Sequence, residues 1–518
     1  MSAPSRLPPQ SKLPAVVQHV RYALQPHVLL RELHAQLGDT FTLRVLGHAP
    51  VVVLADPDPV REVFTGSPDD LYSGEGNRLI EPVVGKNSLL LLDGPRHLRE
   101  RKLLLPPFHG ERMHAYGDVM REVTDHVIDS LPLHTPFAIQ RHTADITLDV
   151  ILRTIFGIDE RARLEKLRAL LVRLVSGAVS PWIFALMLAI PGSGLRRVLR
   201  FGLEPDSPPL ARAMRHLLPM REISQMRVEI DGMLLSEIRH RQGHGTVGRK
   251  DVLSLLVDAR HEDGSPMRDE ELLDEMMTLL LVGHETSAVT MAWAVERVLE
   301  RPQVLAAIRA EVQGVTGGAP LHGRDVARLS YTDAVLRETM RLHTLLPLVV
   351  RVLQRDMTIA GYDLPRGTLV GPSPLLVHDN PRIWPNPSQF RPERFLERKV
   401  PIYEWLPFGG GVRRCLGASF AMFEMTMVLA TLVSRLDLQL STSGPAVAER
   451  RGVVLAPAGG VAVVATARRG YSSADSSARS PAPRVSFAAA FEAFDAPWKA
   501  ETLASPLEGQ WGLLSVER

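Results

Sequence analysis

The stretch Phe408-Gly409-Gly410-Gly411-Val412-Arg413-Arg414-Cys415-Leu416-Gly417 constrains this chain more than any other, because it holds the only cysteine among 518 residues. One cysteine cannot close an internal disulfide, so the fold must rest on a hydrophobic core. A lone cysteine is commonly a small buried hydrophobe. Its neighbours argue otherwise here. Three consecutive glycines permit backbone angles that other residues avoid and bring the chain close to another group. Leu416 to Leu436 has helical spacing, which puts Cys415 just before a helix N-terminus, where the macrodipole and free N–H groups favour an anion. Arg413 and Arg414 add positive charge. A thiolate in that setting is a metal ligand or a nucleophile. The Cys-Gly-Ser-Cys-Trp context of a papain-like nucleophile is missing.

Apolar residues make up 45% of the chain, enough for a large core, and the net charge of +2 sets up no field that would draw in nucleic acid. No run of about 18 apolar residues occurs, as a membrane-spanning helix would need. Pro181 to Ile190 is strongly apolar but too short. Met1 to Lys12 is polar and Pro-rich, with no apolar core of a signal peptide, so neither an N-terminal leader nor a membrane anchor is expected and the chain is expected in the cytoplasm. Beyond about residue 467 the composition changes. Ser472 to Pro483 reads as a Ser/Ala/Pro-rich linker, followed by Phe487, Phe491, Phe494 and Trp498 at helical spacing. The expected organisation is a core over 1–467 and an extension over 468–518.

Periodicity predicts mostly helices. Leu13 to Leu37 is one candidate. A hairpin follows, from Thr40–Leu46 and Pro50–Ala55, and Asp56-Pro57 opens a helix through Phe64. Tyr72 to Asp93 reads as a long loop with some helix. After the turn Asp93-Gly94-Pro95 comes a basic helix, on which His97 and Arg101 share a face suited to paired carboxylates. Residues 114–260 read as helices, Leu164 to Val179 and Arg227 to Arg241 among them, with a break over Pro205–Pro219.

Glu270 to Glu300 is a second anchor, bracketed by Pro266 and Pro302. It is apolar on nearly every side over Met276–Val282, so burial throughout is expected. Into it fall Gly283, His284, Glu285, Thr286 and Ser287. A buried acid beside a hydroxyl is costly unless it is paired or used. Thr286 can bond back to a preceding carbonyl and bend the helix. The pair suits binding of a small polar ligand and proton relay; a helix that locally meets solvent is the plainer reading.

A third anchor runs from Ser330 to Arg341. Ser330 and Asp333 resemble a capping box, and Glu338 and Arg341 lie at i,i+3 on one face. Short strands are expected over Leu348–Leu353, Met357–Ala360 and Thr368–Pro372, with Gly361–Gly367 as a turn.

The cysteine stretch resembles the haem-binding signature of the cytochrome P-450 family, Phe-x-x-Gly-x-Arg-x-Cys-x-Gly, at every fixed position. Val282-Gly283-His284-Glu285-Thr286 is similar to the family's Ala/Gly-Gly-x-Asp/Glu-Thr, except that Val282 is bulkier than the usual first residue. Glu338-x-x-Arg341 and Pro392-Glu393-Arg394-Phe395 match two further motifs. The resemblance covers roughly residues 7–465 and implies a mainly α fold with a minor β region, the cytochrome P-450 fold. It implies haem b with Cys415 as axial ligand of the iron, a thiolate that favours O–O cleavage. Phe408 would pack beside the sulfur, Gly411 would let the loop bend under the ring, and Gly417 would let the helix approach closely. His97, Arg101, Arg351 and Arg413 would bind the haem propionates. Thr286 would steady the iron-bound oxygen while Glu285 feeds protons. Glu338, Arg341 and Arg394 would form a buried structural triad. The segment Leu103–Met113 resembles a cyanobacterial and myxobacterial branch associated with fatty acids and terpenoids.

The activity implied is a monooxygenase acting on a lipophilic substrate with O₂, in a pocket walled by Leu345–Val350 and Val453–Ala456. No flavin or iron–sulfur domain is visible, and one cysteine cannot hold a cluster. Electrons are therefore expected from a separate ferredoxin and its reductase, docking near Arg413 and Arg414. Two other readings stand beside this one: a haem-thiolate isomerase or peroxide-driven enzyme that needs no redox partner, and a non-catalytic haem or lipid-binding protein.

Overall fold

The computed structural model describes residues 7–108, 112–157, 161–178, 185, 188–189, 220–442 and 444–471. Pro205–Pro219, most of Pro181–Ile190, residues 109–111 and the aromatic-bearing extension lie outside the described residues. Helices dominate, and the strands gather into small sheets.

The N-terminal helical spacing predicts one helix, but there are two, Ala15–Leu24 and Pro26–Leu37. Proline lacks the N–H that would continue the first helix and fits the first turn of the second. Leu29, Leu30 and Leu33 of the second pack on Phe41, Leu43, Val51 and Val53. Those four belong to the expected hairpin, Thr40–Leu43 paired antiparallel with Val51–Leu54. Val51–Leu54 also runs parallel to Leu369–Pro372, and Arg351–Leu353 and Leu71–Tyr72 complete a five-stranded sheet. The Asp56 side chain accepts from the Asp58 amide at 3.1 Å and caps the helix Pro57–Thr65.

Two local expectations fail for identifiable reasons. Residues 362–364 are not turn but strand: Tyr362–Leu364 pairs with Met357–Ile359 around Ala360 and Gly361, both at positive φ. That is the backbone a tight hairpin turn requires. The helix Ser330–Leu342 carries no capping bond from the side chain at its N-cap. The Glu311 carboxylate does the work instead, accepting from the Tyr331 amide at 2.6 Å and the Thr332 amide at 2.9 Å.

The core is built round the helix Asp269–Leu299, hereafter the long helix. Helix Ile139–Thr154 lies against it so closely that a methyl group added at Gly283 would come 2.7 Å from Ile151 Cδ1. Thr143 and Thr147 of that neighbour donate to the Ala288 and His284 carbonyls, each at 3.0 Å. The helix after the cysteine, Ala418–Arg435, is buried along most of its length. Among the described residues it is the one helix long and apolar enough to cross a membrane, and 83% of it is inside the protein, as befits a core helix. A hairpin, Ala448–Arg451 with Val454–Pro457, leans on the long helix through Ala456, which joins Val289 and Trp293.

Candidate active site

The cysteine loop is closed by its own backbone: the Cys415 amide donates to the Phe408 carbonyl at 2.9 Å. Phe408 sets its ring edge-on to Trp405, with centroids 6.0 Å apart. Gly411 has φ +65°, and a Cβ there would fall 1.9 Å from the Phe64 carbonyl oxygen. The glycine is thus required by contact with the end of helix Pro57–Thr65. Gly417 is different. A Cβ added there would meet no protein atom within 4 Å, so no packing of one helix on another depends on it.

Cys415 lies deep in the molecule, yet its sulfur faces open space rather than packed side chains. Burial pushes the thiol pKa up, while the Gly417 amide, Arg414 and Arg101 pull it down. Sequence reasoning expects Arg413 and Arg414 to hold a thiolate. Burial outweighs them, and Arg413 is engaged elsewhere. A bound metal would reverse the balance, since a coordinating thiol is deprotonated outright.

Beside this loop, positive charge is concentrated out of water. His97 is 2% exposed. Burial, then the nearby Arg413, Arg101 and Arg351, push it down to about 2, which favours the neutral ring. Arg351 is buried, donates to Ser73 Oγ at 3.1 Å and lies over the Phe64 ring. Burial and Arg413 lower its pKa to about 9. Arg413 pairs with the Asp93 carboxylate, donates to the Leu92 carbonyl and, at 3.2 Å, to the Leu89 carbonyl. It too is lowered by burial, to about 10. The cluster therefore carries more positive charge than Asp93 offsets, and a ligand bearing carboxylates fits it. Sequence reasoning missed Asp93 as an actor. The signal available was its place as the N-cap of helix Gly94–Leu104.

The long helix is not buried throughout. Val282 is 38% exposed, and Leu281, Glu285 and Thr286 are half-buried beside it. Thr286 Oγ1 donates to the Val282 carbonyl at 2.9 Å, the back-bond its position suggests. Burial raises the Glu285 pKa against the opposing pull of Arg451, whose Nε lies 3.0 Å from Glu285 Oε1. Arg451 was missed altogether. It sits on the C-terminal hairpin, and no local spacing links it to the long helix. His284 points the other way, buried, with Nδ1 2.9 Å from the Leu280 carbonyl.

Glu338, Arg341 and Arg394 come together. Arg341 grips Glu338 through two bonds of 2.7 and 2.8 Å, with both side chains fully buried. Arg394 Nε reaches Glu338 Oε1 at 3.3 Å. Arg341 also donates to the His378 carbonyl at 3.0 Å and the Gln389 carbonyl at 3.3 Å, so the cluster ties the helix to the segment that leads into the cysteine loop.

A family model described as Cytochrome P450 matches residues 7–463. The chain belongs to the cytochrome P450 family. Among cytochrome P450s it is similar to the Mycobacterium tuberculosis proteins named for cytochrome P450 135B1, at 35% identity over 90% of this chain and 93% of that one. It also resembles those named for 137, at 34% over 82% and 83%, and for 135A1, at 33% over 86% and 91%. Two solved structures share the fold. One is a cyanobacterial CYP120A1 with retinoic acid bound (TM-score 0.72, 21% identity, 90% of this chain and all of that one). The other is a cytochrome P450DA heme domain (TM-score 0.75, 22% identity, 90% and 98%). The expected mainly α architecture and haem-thiolate monooxygenase class are therefore established, and haem b is the cofactor.

Proposed function

We propose that this cytochrome P450 inserts one oxygen atom of O₂ into a C–H or C=C bond of a lipophilic substrate, a fatty acid or terpenoid, with electrons from a separate ferredoxin and its reductase. Haem b, when bound, supplies oxygen activation at its iron. Cys415 Sγ would bind its iron, with Phe408 flanking the loop and Gly411 letting the loop lie against helix Pro57–Thr65. His97, Arg101, Arg351 and Arg413 would hold the propionates, whose charge would offset the surplus in that cluster. Glu338, Arg341 and Arg394 act only as structure.

The observation that carries the reading is the acid–alcohol pair on the half-open side of an otherwise buried helix. Burial favours the protonated form of Glu285, so it can hand a proton on. The Thr286 hydroxyl, while it donates to the Val282 carbonyl, still has lone pairs free to accept. The lipophilic substrate is supported by the exposure of Val282, Leu346 and Val453. Val282 also narrows the space that a smaller residue would leave.

The ferredoxin is proposed to dock on the face near Arg413 and Arg414, whose own side chains are largely buried. Spectral titration of the haem protein with fatty acids and cyclic terpenoids tests the substrate class. NADH-dependent turnover with added ferredoxin and reductase, set against peroxide alone, tests the electron source. Turnover by peroxide alone would overturn the need for a partner.

A further inference from the structure

The hairpin Ala448–Arg451/Val454–Pro457 carries two adjacent arginines that serve opposite sides. Arg450 is buried, 5.3 Å over the Tyr22 ring, with Nη1 donating to the Gly452 carbonyl at 3.2 Å. Strand alternation sends Arg451 the other way, to its 3.0 Å contact with Glu285. The Arg451 side chain keeps 39% of its surface exposed, while Glu285 keeps 19%.

The surroundings are apolar. Val453, in the hairpin turn, is 47% exposed. Val282 is one helical turn before Glu285 on the same face. Leu346, also exposed, follows Leu345, whose carbonyl accepts from the Leu455 amide of the hairpin at 2.9 Å. Large apolar side chains left open around a single ion pair make a surface suited to an amphipathic ligand, with an apolar body and one charged end. The charge left for such a ligand to meet is positive. Glu285 is the more buried partner, so a ligand reaches the guanidinium, which presents a fork that matches a carboxylate.

We propose that Arg451 anchors the carboxylate of a lipophilic carboxylic-acid substrate, giving up its contact with Glu285 to the incoming anion. The exchange frees Glu285 beside Thr286 when substrate arrives. This inference rests on the monooxygenase reading above and selects the carboxylic acids within its substrate class.

The test is spectral titration of the purified haem protein, wild type, Arg451→Gln and Arg451→Lys, with straight-chain carboxylic acids of ten to eighteen carbons (~10–18, long enough to bury an apolar chain) and with their methyl esters. The ferrous carbon monoxide band confirms that each variant is folded and loaded. Wild type is expected to bind the best acid about tenfold or more tighter than its ester, the range a charge-assisted bond supplies. Arg451→Gln should lose that preference while its ester affinity stays within about threefold, and Arg451→Lys should keep part of it. Equal affinity for acid and ester in wild type, an unchanged preference in Arg451→Gln, or no spectral shift with any acid would overturn the anchor. A shift and NADH-dependent turnover with a neutral terpenoid alone would also overturn it, yet leave the monooxygenase reading standing. Acid binding lost in Arg451→Gln, with no oxygenated product from any substrate, would uphold the anchor and sink the oxygenation reading instead.

Discussion

Asp93 and Arg413 form an ion pair that fastens the start of helix Gly94–Leu104 to the cysteine loop. The same carboxylate accepts from the Ser73 and Gly74 amides at 2.9 Å and the Glu75 amide at 3.0 Å. One side chain thus holds three chain segments around the cationic cluster. Asp93→Asn keeps some of those hydrogen bonds but leaves Arg413 without its counter-charge. Breaking a largely buried pair from one side costs about 3 kcal/mol. The expected result is a lower melting temperature and a lower haem-to-protein absorbance ratio; an unchanged ratio would mean the pair is not needed to seat the cofactor.

Gly411→Ala should be far worse than Gly417→Ala. The first places a methyl group against the Phe64 carbonyl and strains a positive φ, while the second meets no protein atom. Strain of this kind costs on the order of 1–3 kcal/mol before the clash is counted. The ferrous carbon monoxide spectrum reads the outcome, with the thiolate band expected to fall in Gly411→Ala. A loss confined to Gly417→Ala would assign that glycine a role in cofactor contact, since no protein atom lies within 4 Å of the added methyl. Cys415→His is expected to remove the thiolate band altogether.

Thr286→Ala should uncouple the reaction. If the hydroxyl helps deliver protons, product formed per NADH consumed is expected to fall about tenfold or more, with substrate affinity little changed. An unchanged ratio of product to NADH would remove the Thr286 hydroxyl from proton delivery.

Glu424, on the helix after the cysteine, makes stability depend on pH. Burial pushes its carboxyl up to about 8, and the Ser287 hydroxyl offsets only part of that. The folded protein then binds a proton that the unfolded chain has lost above about pH 4.5. Its contribution is full below that pH and falls as pH rises through about 8, with a slope of about 1.4 kcal/mol per pH unit. Glu424→Gln, uncharged at every pH, should flatten the decline in melting temperature between pH 5 and 8 (about the window the two values bound). An equal decline in both proteins would disprove the assignment.

Much of this molecule was readable before any coordinates. The helix over Glu270–Glu300, the first hairpin and the Asp56 cap all rest on local signals, and local signals survive folding. The pairing of Glu338 with Arg341 lies within one turn and was equally open to view. What escaped was decided across distance. Glu311 caps a helix from outside it. Asp93 meets Arg413, and Arg451 meets Glu285, through contacts that no periodicity encodes. Val282 looked like core because its neighbours along the chain are apolar, but one side of the helix faces open space. At Cys415 the sequence shows the arginines and hides the desolvation that pushes the thiol pKa up.

The solitary sulfur has a practical corollary. With one thiol in the chain, and that one exposed and proposed to bind the iron, every mole of reactive –SH would mark a molecule whose iron bond is not made. A maleimide titration of the folded protein therefore counts empty molecules directly, and the rate at which label appears during storage clocks the loss of cofactor.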